Sequence, residues 1–266
     1  MSISIIVLAQ NEEHDLPRLL ESIRWCDDVH VVDSGSTDRT VEIARAAGAQ
    51  VVLHPFTSFG QQRNWALANC ALQHEWVLFL DADEASTPAF HGALVNAISS
   101  ASHEVAGFYC CWKMIAGDRW LKRCDSFPKW QFRLLRSGRA TYIDYGHGQR
   151  EGRVDGRLDY IGEPYLHFAV SKGWGEWLAR HERYAKQEAA VRKQTPICWG
   201  EIFSGVPSQR NKGLKPLVSR IPGWPALRFL QAYVFSGGFL EGAPAFRYCR
   251  NLARYEAMIQ REMRKG

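Results

Sequence analysis

Apolar positions along the first hundred residues follow two alternating rhythms. Ile3-Ser4-Ile5-Ile6-Val7-Leu8-Ala9 is a short, nearly continuous apolar run rich in β-branched residues, the pattern of a strand covered on both faces. Leu16, Leu19, Leu20 and Ile23 then recur at helical spacing. Val29 to Val32 is a second strand, followed by a helix with apolar positions at Val41, Ile43, Ala44 and Ala47. The turn between them, Asp33-Ser34-Gly35-Ser36-Thr37-Asp38, is rich in residues that cap the next helix. Gln50–Leu53 reads as a third strand, Gln61–Cys70 as a helix, and Trp76–Leu80 as a fourth strand running into Asp81-Ala82-Asp83-Glu84. Thr87-Pro88 opens another helix, with proline where its missing N–H matters least.

This alternation predicts an α/β fold: a mostly parallel, Rossmann-like sheet with helices on both faces. Ligands of such sheets bind beyond the carboxyl ends of the strands. Asn11-Glu12, Asp33-Ser34-Gly35 and Asp81-Ala82-Asp83 follow three of these four strands, the first, second and fourth. Polar and acidic groups are thus expected to converge on one rim.

Composition adds little to this picture until charge is resolved along the chain. The 266 residues, 46% hydrophobic and 23% charged, are those of an ordinary globular protein, not a disordered one. The net charge of +5 is concentrated at one end. Residues 200–266 hold eleven Lys or Arg against four Asp or Glu. Prolines, glycines and aromatics interleave there, from Trp199 through Phe239 and Leu240, and Ala245–Lys265 has a basic helical pattern. Aromatics at headgroup depth with arginines against phosphates would suit an interfacial element on an anionic inner membrane. Ordinary helices packed on the body of the protein, or a dimer contact, are the rival reading. Nothing resembles a nucleic-acid recognition fold. The seven cysteines lack zinc-type spacing and are expected to be buried or idle thiols in a reducing compartment. Without a secretory h-region or about 18 uninterrupted apolar residues, the expected location is cytoplasmic, with peripheral contact on the inner membrane.

Two carboxylates at the end of a buried strand, Asp81 and Asp83, suit a hard divalent cation, Mn²⁺ or Mg²⁺. The segments Ile5–Glu13, Val31–Asp38, Phe59-Gly60-Gln61-Gln62-Arg63-Asn64 and Leu80–Glu84 together resemble glycosyltransferase family 2. With Gln131-Phe132-Arg133-Leu134, they resemble its lipopolysaccharide-core glucosyltransferase branch. The resemblance implies a GT-A fold with a helical C-terminal extension. It divides the chain into a catalytic domain at 1–170 (nucleotide-sugar half about 1–100, acceptor half about 101–170) and a helical region at 171–266. The implied activity is inverting, metal-assisted transfer of a hexose, glucose from UDP-glucose, to a lipopolysaccharide-core or other lipid-linked sugar.

Roles follow from the same resemblance. Asp83 is the expected metal ligand, with His167 completing the metal or diphosphate shell. Asp81 lies nearer the ribose, Asp33 at the base, and Asn11 and Glu12 at the nucleoside. Arg63 is expected near a phosphate or ribose, or paired with Asp33 or Asp81. Capping of local helices is the rival role for Asn11, Glu12 and Asp33; for His167 it is a hydrogen-bonded place in the core. Glu151, in Gly148-Gln149-Arg150-Glu151-Gly152, is the expected general base, with Asp144 the alternative and a salt bridge to Arg150 or Arg153 the plain reading. Arg150 stands where the branch commonly has histidine. Pro128-Lys129-Trp130 also departs from the branch, which bears on the acceptor pocket. Transfer to polyprenyl phosphate or to a capsule or exopolysaccharide intermediate is the alternative within the class. A sugar-nucleotide nucleotidyltransferase would need a Gly-rich loop where Gln10–Glu13 stand. A non-catalytic sugar-nucleotide binder would lack a base such as Glu151.

Overall fold

The computed structural model describes residues 3–146, 148–203, 214 and 216–265. They fall into two compact units. One comprises residues 1–115 and 127–171, the other residues 116–126 and 172–266.

The first unit is built on the sheet that the apolar runs predict. Strands β1 (Ile3–Ala9), β2 (Val29–Asp33), β3 (Gln50–Leu53) and β4 (Trp76–Asp81) lie in the order β3-β2-β1-β4, all parallel. Helices α1 (Leu16–Ser22), α2 (Thr40–Ala46), α3 (Phe59–Asn69) and α4 (Pro88–Ser100) connect or follow them. β1 is apolar on both faces because both are covered. Ile5 and Val7 pack with Leu16 and Leu19 of α1 and Phe90 and Leu94 of α4. Ile6 packs with Ala66 of α3, Phe79 and Tyr142. Two helix starts carry a side-chain cap, the second at the Thr87-Pro88 start that the sequence marks. Ser58 Oγ accepts from Gln61 N at the head of α3, and Thr87 Oγ1 from Phe90 N at the head of α4.

Beyond β4 the sheet becomes mixed. Its remaining strands are β5 (Glu84–Ala85), β6 (Val105–Ala116), β8 (Trp130–Arg136) and β11 (Arg157–His167), while the short β7 (Arg119–Trp120) belongs to the second unit. The order continues β4-β8-β6-β11-β5, with β8 antiparallel to both neighbours and β6 parallel to β11. A separate antiparallel pair, β9 (Ala140–Tyr145) and β10 (Gly148–Val154), packs Tyr142 into the α3 side of the core. The architecture is the expected GT-A-type α/β arrangement.

The second unit is helical. Its principal helices are α5 (Gly173–Gln194), α6 (Trp199–Ile202), α7 (Trp224–Leu230) and α8 (Gly242–Arg264), with a π turn at Gln231–Phe235 and a 3₁₀ turn at Gly238–Glu241. Arg192 on α5 binds Glu188 on its own helix and both carboxylate oxygens of Glu256 on α8. The 116–126 segment is held by Glu241, whose carboxylate accepts the amides of Arg123 and Cys124, and by Tyr248, which donates to Asp125 at 2.5 Å. Part of the expected membrane-facing stretch, 204–213 and 215, lies outside the described residues. No helix among the described residues is long and apolar enough to cross a membrane.

Candidate active site

Strand register brings the three polar ends together. Asp33 lies opposite Ala9 across the β1–β2 pair, and Asp81 opposite Leu8 across β1–β4. The strand order reverses at β1, with β2 on one side and β4 on the other, so the loops after β1 and β4 diverge at a topological switch point.

Asp81 is the centre of a charged network. Its Oδ1 accepts from Arg63 Nη2 at 2.9 Å and its Oδ2 from Arg133 Nη2 at 2.7 Å. Both arginines are 1% exposed, whereas the Asp81 side chain is 36% exposed at the rim. Burial disfavours the Asp81 charge, yet Arg133 and Arg63 outweigh it and hold the carboxyl well below the usual carboxylate range. Arg133 also binds the buried Glu84 at 2.6 Å and Tyr165 at 3.3 Å. The other Glu84 oxygen accepts the Asp81 amide at 2.8 Å. Burial, only partly offset by Arg133 and reinforced by the Asp81 charge, pushes Glu84 up to about 7. Nε and Nη1 of Arg63 and Nη1 of Arg133 are buried with no hydrogen-bond acceptor. Arg63 therefore pairs with Asp81, one of its two expected partners.

Asp83 and His167 meet beside this network. The β5–β11 pairing sets His167 opposite Glu84, and Phe168 N donates to Asp83 O at 2.8 Å. His167 Nε2 lies 3.6 Å from Asp83 Oδ2, too long for a good hydrogen bond. Its buried Nδ1 has no hydrogen-bond partner. Burial alone would lower the His167 pKa, but the Asp83, Glu84 and Asp81 charges together raise it. That potential favours a cation. One carboxylate and one imidazole could supply two ligands of a divalent ion and leave its other positions open. No group of three or more His, Cys, Asp or Glu among the described residues forms a closed metal cage.

The β1 and β2 loops interlock. Asn11 adopts a left-handed backbone (φ 56°), which asparagine tolerates. Its amide donates to Ser36 Oγ at 2.8 Å, and its Oδ1 accepts from Thr37 N at 2.8 Å. Glu12 N donates to Thr40 Oγ1 at 2.7 Å. The buried Asp33 carboxylate accepts the amides of Gly35 and Ser36 at 3.1 and 3.0 Å and also the Ser36 hydroxyl. Asp33 thus acts first on its own loop, while Asp38 meets the start of α2 by accepting Thr40 N at 3.0 Å.

Glu151 lies on β10, opposite Tyr142. It neighbours Tyr109, whose pKa is raised by burial first and by Glu151 second. Tyr109 stacks on Tyr160 (5.1 Å between centroids), and Trp130 meets Tyr160 edge-on at 4.9 Å. Tyr160 is 62% exposed and Trp130 39%. Asp144 is committed elsewhere: it accepts from Ser58 Oγ at 2.7 Å and Gly60 N at 2.8 Å.

Residues 4–150 match the family described as Glycosyl transferase family 2, over more than half of the chain. The chain belongs to this family. Among curated relatives, an uncharacterized glycosyltransferase of Rickettsia typhi is 40% identical over 83 residues, which is 31% of this chain and 28% of that one. The lipopolysaccharide core biosynthesis glycosyltransferase LpsC of Rhizobium meliloti is 30% identical over 164 residues, covering 58% of this chain and 57% of LpsC. The chain therefore spans well under two thirds of these relatives. Among solved structures, S. aureus TarS (residues 1–349) is 15% identical with a TM-score of 0.45, covering 96% of this chain and 91% of that one. Glucosyl-3-phosphoglycerate synthase of Mycobacterium tuberculosis, solved with Mn²⁺ and UDP-glucose, is 21% identical with a TM-score of 0.43, covering 62% and 71%.

In this member of the family, the structure brings together Arg63 and Asp81, Asp83 and His167, and the loops of Asn11, Glu12 and Asp33. Arg133, Glu84 and Tyr109 were not expected in the site. A charged residue inside the buried run Phe132-Arg133-Leu134-Leu135 was the available signal for Arg133. Glu84, directly following Asp81-Ala82-Asp83, offered no separate one.

Proposed function

We propose that this chain transfers glucose from UDP-glucose, with inversion and divalent-cation assistance, onto a sugar of a lipopolysaccharide core or another lipid-linked saccharide. The observation that carries the reading is the end of β4. Two buried arginines occupy Asp81, while Asp83 faces His167 across 3.6 Å. A cation held by Asp83 and His167 would bind the donor diphosphate and stabilise the charge of the departing nucleoside diphosphate.

The protein's own groups do the rest. Arg63 and Arg133 keep Asp81 ionised and oriented toward the ribose. Asn11, Glu12 and Asp33 hold the loops against the nucleoside, and one Asp33 Oδ2 lone pair remains for a ring N–H. Glu151, beside Tyr109, accepts the proton of the acceptor hydroxyl. The new bond from that oxygen to the anomeric carbon forms as the carbon–oxygen bond to the diphosphate breaks on the opposite face. Trp130 and Tyr160 offer aromatic faces to the acceptor sugar beside Glu151. The likeness to LpsC supports a lipopolysaccharide acceptor. The basic, aromatic C-terminal region supports work at the cytoplasmic face of the inner membrane.

The test is nucleoside diphosphate release from a panel of nucleotide sugars with Mn²⁺ or Mg²⁺, with and without lipid-linked acceptors. UDP-glucose should give acceptor-stimulated release. Asp83→Ala should abolish it, and Glu151→Gln should retain donor binding while losing transfer by about 10²–10⁴-fold. No turnover of any nucleotide sugar would overturn the reading. Full activity of Asp83→Ala would remove the metal assignment alone.

A further inference from the structure

The second unit contains a pocket of about 440 Å³ between α5 and α8, lined by Trp174, Leu178, Phe246, Arg247, Arg250 and Arg254, with the buried Asn251 among them. The three arginines stand at i, i+3 and i+7 of one helix and so share a face. Among the described residues no carboxylate lines the pocket and no ion pair reaches any of the three. Among them, Arg254 has a polar partner, Asn251 Oδ1 at 3.4 Å. Two arginines elsewhere in this unit are paired, Arg192 with Glu188 and Glu256 and Arg261 with Glu182. Like charges one turn apart repel. Here they converge on a concave surface with no counter-charge among the described residues that line it.

Planar guanidinium forks match the oxygens of a phosphate, and Trp174, Leu178 and Phe246 give the same pocket an apolar wall. We infer that this pocket binds the phosphate or diphosphate group of an amphiphile, the guanidinium groups taking the phosphoryl oxygens and the aromatic wall the adjoining apolar chain. Such a group comes either from a bilayer headgroup or from a discrete phosphorylated lipid. The inference is independent of sugar transfer, since binding requires neither donor nor turnover.

The test uses the full chain with inorganic pyrophosphate and a monomeric alkyl phosphate, followed by calorimetry. A parallel arm measures flotation with phosphatidylcholine vesicles, with and without phosphatidylglycerol. Two variants of equal charge are compared: Arg247→Gln/Arg250→Gln in the pocket, and Arg183→Gln/Arg264→Gln on exposed positions outside it. Wild type and the outside variant should bind the alkyl phosphate more tightly than pyrophosphate. The pocket variant should weaken by about tenfold or more, the scale of one lost charge-assisted hydrogen bond. Flotation that depends on phosphatidylglycerol and on Arg247 and Arg250 identifies the headgroup as source. Soluble binding without such flotation identifies a discrete phosphorylated molecule. Equal weakening in both variants, or no binding of either soluble probe together with flotation indifferent to the pocket variant, overturns the inference.

Discussion

Arg133 shows how one side chain can fix an acidic strand end. Three acidic side chains, Asp81, Asp83 and Glu84, follow within four residues of β4, and two of them are satisfied by a single guanidinium. Without it, Glu84 would be a buried carboxylate lacking its cation, and Asp81 would keep only Arg63. Breaking a buried pair by removing one partner costs about 3–5 kcal/mol. Arg133→Met should therefore lower unfolding free energy by roughly that amount in urea titrations, and adding Glu84→Gln should restore part of it. Wild-type stability in the single variant would mean the network has no structural weight. The sequence marks Arg133 only as a charge among apolar residues. Its partner lies about fifty positions away, through the antiparallel pairing of β4 with β8, and no local pattern reports a non-local pairing.

Among the elements, α3 carries its instructions most densely. The Gly60-Gln61-Gln62-Arg63-Asn64 segment serves packing as much as chemistry. A Cβ at Gly60 would meet Asp144 Oδ1 at 2.8 Å and the β9 backbone at 3.0 Å. Asn64 pairs with both the N–H and the C=O of Tyr142 at 2.8 Å. Gly60→Ala should force α3 away from β9 and cost about 1–3 kcal/mol, read as a lowered Tm. An unchanged Tm would mean that β9 yields freely. This contact also explains why Asp144 reads as a candidate base in the chain and as an anchor in the fold. At the other end of the sheet, buried Asp28 accepts from His30 at 2.9 Å and from Gln73 N at 2.9 Å. Burial opposes its charge, but the Gln73 amide, Ser4 and His30 outweigh burial and lower its pKa. A depressed carboxyl stabilises the fold above its unfolded pKa of about 3.9, and that stability is lost as pH falls through the folded value. Asp28→Asn should flatten the acid limb of the stability profile, and an unaltered limb would discount the pair. The parallel strands are legible because burial on both faces leaves continuous apolar runs. β9 and β10 are not, because Ala140 and Tyr142 alone are buried on β9, Ile143 and Tyr145 are exposed, and no β10 side chain is fully buried on this two-stranded ribbon.

At the scale of the whole chain, the two units are not consecutive pieces. The chain leaves the sheet unit at 115, contributes 116–126 to the helical unit, and returns at 127. A boundary near 170 is natural from the sequence because strand-like runs end there and the α5 pattern begins. The excursion at 116–126 has no such signature, being short and of mixed polarity. Its order depends on residues over a hundred positions later. Glu241 receives the amides of Arg123 and Cys124, and Tyr248 binds Asp125. Two backbone donors into one carboxylate are charge-assisted hydrogen bonds, each contributing about 1.5–3 kcal/mol to local order. A fragment ending at residue 171 retains every strand of the sheet unit but none of these partners. Trypsin should then cut it at Arg119, Lys122 or Arg123, while the same bonds in the full chain resist. Glu241→Gln in the full chain should fall between the two, because it keeps a carbonyl acceptor and loses the charge. Equal cleavage of fragment and full chain would show that 116–126 is held by its own sequence, and that the helical unit is dispensable for its order.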